Sequence, residues 1–132
     1  MRFMLLQNYG GVESECAPMY EWSPEEIKAH IDFQISLNRQ LEELGELVDA
    51  QGLAGPDDVR IVVSDGTKVT VTDGPFPESK ELLAGYRIVE VDTLERALQI
   101  AAQISAAPGQ GGAAIRQRIE VRQVMSAPDP EV

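Results

Sequence analysis

SPEEIKAHIDFQISLNRQLEELG, residues 23–45, is the stretch on which the fold turns. Two periods compete in it. Ile31, Phe33, Ile35 and Leu37 alternate, which is the pattern of a half-buried strand. Against that stands a strong helix start. Ser23 can cap, Pro24 suits the first helical position, and Glu26 completes a capping box. Leu41 and Leu44 continue the apolar spacing, and Gly45 is a natural stop. A helix is therefore expected from Ser23 to about Leu44. At about 100° per residue, Phe33, Leu44, Leu37, Leu41, Ile27, Ile31 and Ile35 share one broad arc. Lys28, Asp32, Ser36, Arg39 and Glu43 lie opposite. His30, Gln34 and Asn38, spaced i, i+4 and i+8, form a polar ridge inside the apolar arc.

With that segment helical, the rest of the chain falls into order. Phe3 to Tyr9 reads as a buried strand ended by Gly10 and Gly11, and residues 11–22 as a loop. Glu46 to Leu53 reads as a strand. Arg60–Ser64 and Thr67–Val71 flank Asp65-Gly66, the signal of a two-residue hairpin. Pro77 to Leu83 is expected to make one helical turn closed near Gly85, and Tyr86 to Val91 a strand. Asp92-Thr93-Leu94-Glu95 reads as a second capping box, followed by a helix to about Ser105 with Leu94, Ala97, Leu98 and Ala101 as its apolar stripe. Residues 106–114 are Gly/Ala-rich and expected to be mobile. Ile115 to Val124 alternates as a last strand, with Arg116, Arg118 and Arg122 on one side. Those arginines are expected to pair with the surplus acids rather than to hold an anionic ligand. The tail from Ser126 is expected to fray.

Setting aside the hairpin, the order is β-α-β-β-α-β. An α+β fold follows, a ferredoxin-like split βαβ sheet with both helices on one face and an inserted β-hairpin. Residues 1–125 make one domain and 126–132 a flexible tail. The second face of the sheet has nothing left to cover it, so self-association as a homodimer is expected.

Composition narrows the function. The 132 residues are 43% apolar, enough for a core, and carry a formal charge of −11. That charge argues against nucleic acid and anionic membranes as partners. Cys16 is the only cysteine, in an acidic loop that disfavours a thiolate nucleophile. One Cys and one His cannot build a zinc site of the usual kind, so no metal is expected. No phosphate loop, dinucleotide fingerprint or catalytic-triad signature implies a cofactor. The apolar run after Met1-Arg2 is too short for a signal segment, and a cytoplasmic protein is expected.

Three stretches, "GELVDAQGLAGPD" (45–57), "VTDGPFPESKELLAGYRIVEV" (71–91) and "IEVRQV" (119–124), closely resemble the YCII-related proteins, in the branch named for its DGPF motif. The resemblance runs from about Arg2 to Met125. It implies a dimeric α/β barrel, a homodimer, and no established reaction. Some members occur beside sigma factors of the extracytoplasmic-function type, which implies a regulatory setting. Other relatives carry a His/Asp pair proposed as catalytic. His30 stands about one turn from where their spacing would place it.

His30 is the candidate acid/base, since its ordinary pKa of roughly 6.5 suits both roles near neutrality. Asp49 and Asp73 are the candidate carboxylates to orient it, and either or neither can serve. The plain alternative is a His30 satisfied in the core or at a dimer interface. Gln34 and Asn38 are candidate ligand-binding residues, because buried amides need partners. Tyr86 joins them, with its hydroxyl expected to reach a polar neighbour. Asp73 opens Asp73-Gly74-Pro75-Phe76, a stiff corner that either shapes the fold or aims its carboxylate at a cavity. The leading expectation is a small molecule bound, or bound and slowly turned over, in a cleft between the first helix and the sheet. The alternative is a non-catalytic regulatory or protein-interaction module.

Overall fold

A computed structural model describes residues 1–8, 21–55, 58–73 and 83–125. The strands are β1 (Arg2–Asn8), β2 (Leu47–Gly52), β3 (Arg60–Ser64), β4 (Val69–Asp73), β5 (Leu83–Glu90) and β6 (Ile119–Gln123). The helices are α1 (Pro24–Glu43) and α2 (Leu94–Ser105). The fold is α+β. Four strands form one sheet in the order β2-β5-β1-β6, with every neighbouring pair antiparallel. β1 and β2 thus run parallel with β5 between them.

The competition between periods in residues 23–45 is settled for helix, and the cap is the reason. The Ser23 hydroxyl accepts the Glu26 N–H at 3.2 Å while the Glu26 carboxylate accepts the Ser23 N–H at 2.8 Å. Both helices pack on one sheet face. Leu37 and Leu41 of α1 meet Ala97, Ile100 and Ile104 of α2 over Phe3, Leu5 and Val89. Burying each of the larger aliphatic side chains contributes roughly 1.5–3 kcal/mol. The expected apolar arc of α1 is only partly used. Leu37 and Leu41 are buried, whereas Ile31 and Ile35 are about half exposed at 48% and 50%, and Leu44 is exposed at the helix end.

Several expectations are corrected. The hairpin does not turn on Asp65-Gly66. Ser64 pairs with Val69, and the Asp65 N–H donates to Lys68 O, so Gly66-Thr67 form the tip. Gly66 takes φ +95°, which an L residue disfavours, and the Asp65 carboxylate accepts the Thr67 and Lys68 N–H groups. The hairpin forms its own two-stranded sheet. β5 begins at Leu83, so the helical turn expected from Pro77 to Leu83 does not reach Leu83 and Gly85 lies within a strand; the rest of that turn lies outside the described residues. α2 is capped by Thr93, whose hydroxyl accepts the Arg96 N–H. The residue at the box position is Arg96, not an acid, so there is no reciprocal half. Residues 106–114 take defined positions. Ala107 is fully buried, Pro108 bridges to Ala114, and the Gly111 N–H donates to Glu26. Of 115–124 only Ile119–Gln123 is strand, since Arg116 takes φ +56° and breaks the extended run. The tail from Ser126 is outside the described residues. No helix among those described is long and apolar enough to cross a membrane.

Candidate functional site

The polar ridge of α1 faces the sheet across a cleft of about 270 Å³. His30, Gln34 and Asn38 line its helix side. Below them, strand alternation sets Gly85 and Arg87 on the same face as Val89 of the core. Gln7, Ala50 and Gly52 stand beside them on the flanking strands. Gly52 and Gly85 are a pair, so the floor there is backbone without side chains. The sheet can close that tightly only because Gly85 lacks a Cβ, which would come within 2.8 Å of Gln51 O.

Arg87 is the centre of the arrangement. It is 3% exposed. Its Nε donates to Asn38 Oδ1 at 2.7 Å, Nη1 to Gln7 Oε1 at 3.2 Å, and Nη2 to Gln34 Oε1 at 2.5 Å. The guanidinium is thus surrounded by neutral amide oxygens. Burial pulls its pKa down to about 10, which leaves it cationic at neutral pH.

These bonds fix the state of His30. Arg87 offers only donors, so Gln34 must present its oxygen to it. The Gln34 amide nitrogen then faces His30 Nε2 at 3.5 Å, where Nε2 has to accept. The proton therefore sits on Nδ1 and is donated to Pro108 O at 3.0 Å. Trp22 meets the imidazole edge-on, with ring centres 5.5 Å apart. The network runs on through Gln7 to Gln117, whose amide donates to Asn8 O.

The carboxylates expected beside His30 are elsewhere. Leu47 packs on the core, and plain alternation would put Asp49 on the same face. A register shift between Leu47 and Asp49 breaks that alternation and sets Asp49 opposite Ile88, on the face away from the helices. There Asp49 accepts the Tyr86 hydroxyl at 3.0 Å, and this bond raises the Tyr86 pKa above its ordinary value. Tyr86 contributes to the cleft lining, but its hydroxyl is turned to Asp49. Asp73 ends β4 opposite Arg60 and pairs with it at 3.2 Å, exposed on the hairpin. Gly74, Pro75 and Phe76 lie outside the described residues. His30, Gln34 and Asn38 are brought together; Asp49 and Asp73 do not join them.

Arg87 was not among the sequence candidates. Its signal was parity: Val89 and Val91 are the inward positions of that strand, and Arg87 shares their side. A lone inward charge needs a polar ridge above it, and α1 carries one.

The family model of the YCII-related domain matches residues 1–122. An uncharacterized protein of Rhizobium meliloti (strain 1021) is 29% identical over 96 residues, which are 72% of this chain and 77% of that protein.

Proposed function

The chain belongs to the YCII-related family, and on that premise we propose that it binds a small molecule in the cleft between α1 and the sheet. The observation that carries this is the polar constellation of buried Arg87 and half-buried Gln34, Asn38 and Gln7 opening onto a bare Gly52–Gly85 floor. Protein interiors seldom gather so many polar groups around an open space without a use for it. Binding, rather than turnover, fits the absence of a carboxylate against His30 among the described residues. The Asp73-Gly74-Pro75-Phe76 sequence supports placement in the DGPF-motif branch. The strand order and directions support a ferredoxin-like split βαβ sheet.

A fragment screen followed by amide NMR tests the cleft. Binders should shift Gly52, Gly85 and Arg87 saturably in the native protein. They should not do so in Gly52→Leu, whose added side chain enters open space, since a Cβ at Gly52 meets nothing within 4 Å. Binding that survives Gly52→Leu unchanged would place the ligand elsewhere.

A second reading is a protein-interaction surface, favoured by the hairpin. Val62, Val63, Val69 and Val71 are each about 60% exposed, on an isolated two-stranded ribbon that is marginal alone in water. The proposed occupant is a second copy of the chain, giving the homodimer and, with the sheet face bearing Met4, Leu6 and Ile88, a dimeric barrel. Light scattering should return twice the chain mass of 14.4 kDa. Replacing the four valines with threonine should reduce it to that single mass without unfolding. A native protein that is already monomeric would leave the hairpin to a different protein.

A further inference from the structure

We propose that the cleft is an anion site in which Arg87 receives the carboxylate of a small monoanionic molecule. This rests on the small-molecule reading above and names the chemistry of that ligand. The chain has 22 acids against 11 Lys and Arg. Arg2, Arg60 and Arg96, all more exposed, are paired with Glu90, Asp73 and Glu46. Arg87, the buried one, has no carboxylate partner among the described residues. A strut that served only to join α1 to the sheet would be better matched by an acid, because a buried charge is costly unless it is paired. Neutral amides instead keep a cation in place, and no acid among the described residues compensates its charge.

The donor count gives the ligand somewhere to bind. A guanidinium has five N–H groups, and the protein bonds account for one on each nitrogen. One N–H on each of Nη1 and Nη2 remains. Two N–H groups on a planar fork suit a carboxylate. Burial strengthens the attraction by lowering the local dielectric. Charge selects the class further. Arg87 is the only Lys or Arg among the described residues that line the cleft, and that single charge matches a monoanion better than a phosphate dianion. The cleft, at about 270 Å³, falls below the roughly 300–1,000 Å³ of drug-sized sites, which fits a small metabolite. A larger depression beside Glu46 and Arg96 has no such vacancy. Its arginine is already fork-paired with Glu46, and Glu90 and Asp92 add negative charge.

The test uses propionate, its neutral isostere propionamide, and inorganic phosphate, each titrated into the native protein at low chloride. The Arg87 Nε–H resonance and the backbone amides of Gly52 and Gly85 are followed by NMR. Propionate should move all three saturably, at least tenfold more tightly than propionamide, and phosphate should bind more weakly than propionate. Arg87→Lys keeps a charge but loses the fork, and should weaken propionate at least tenfold. The native titration decides the matter even if that variant does not fold. Propionamide binding as well as propionate would overturn the anion site while leaving the cleft reading intact. Tighter phosphate binding would overturn the carboxylate assignment. An unmoved Arg87 resonance under propionate, with the fragment screen still finding cleft binders, would make Arg87 a structural strut only.

Discussion

Gly52 faces Gly85 across the β2–β5 pair, and beneath α1 the sheet is bare backbone at that point. The two glycines are not equivalent. A Cβ at Gly52 meets nothing within 4 Å, whereas one at Gly85 meets Gln51 O at 2.8 Å. Gly52→Leu should therefore cost within about 1 kcal/mol and fill the cleft, while Gly85→Ala should cost about 1–3 kcal/mol by forcing the strands apart. Urea unfolding of both variants checks this. Equal costs would mean that the close approach at Gly85 does not hold in solution.

Asp49→Asn should act on Tyr86. The carboxylate raises the Tyr86 pKa because its hydrogen bond holds the phenol proton, with burial and negative charge adding to it. An amide keeps an acceptor but removes the charge, so the phenol should ionise at lower pH. The protein has three tyrosines, and an ultraviolet titration of the variant against the native protein should show one of them moving down. If none moves, the Tyr86–Asp49 bond is absent in solution.

The element order was legible in the sequence because caps and periodicity are local. Ser23, Glu26 and Gly45 marked α1, and alternation marked β1 and β5. The polar ridge was legible for the same reason. What it faced was not. Asp49 was a candidate only as a carboxylate in a predicted strand, and the bulge at Val48 that decides which face it takes leaves no mark in the sequence. Asp73 was a candidate because it opens the Asp73-Gly74-Pro75-Phe76 corner, and which way its carboxylate points depends on the hairpin strand it ends, where Arg60 takes it. Arg87 could have been found by counting in twos, since no irregularity separates it from Val89.

The Glu46–Arg96 pair ties the start of β2 to α2 and should dominate the acid limb of stability near it. Arg96 grips both carboxylate oxygens, at 2.8 and 2.7 Å, and that hydrogen bonding holds Glu46 below its ordinary range. A depressed carboxylate contributes stability above its unfolded pKa of about 4.3 and loses it as pH falls through the lower folded value. The pair is partly exposed, so about 1 kcal/mol at neutral pH is expected. Glu46→Gln should lower stability by that amount at about pH 7, with the difference vanishing as pH falls through the depressed folded pKa and the native carboxylate becomes neutral. Chemical unfolding across that range measures it. A cost that persists at low pH would come from packing instead.

Gln34→Glu joins the two halves of the site in one measurement. In the native protein the Gln34 oxygen faces Arg87 and its nitrogen faces His30. The neutral form of His30 should therefore be the Nδ1–H tautomer, visible in long-range nitrogen correlations as a protonated Nδ1 and a bare Nε2. The substitution keeps the shape and makes both contacts acceptors. Arg87 gains the charged partner it lacks, and a hydrogen bond to a charged group is worth about 1.5–3 kcal/mol against about 1 for a neutral one. Desolvating the new carboxylate offsets part of that, so a net gain of about 1 kcal/mol is expected above about pH 4.3, lost as the carboxylate protonates. His30 Nε2 can no longer accept, and should take up a proton to donate to the new oxygen. The same carboxylate neutralises the charge that draws the anion, so propionate should bind at least tenfold more weakly, as followed by the Arg87 Nε–H resonance. A His30 Nε2 that stays bare in Gln34→Glu would mean that Gln34 does not relay the demand of Arg87 to the histidine. Propionate binding that persists unchanged would mean that the ligand carboxylate is not drawn by the charge on Arg87.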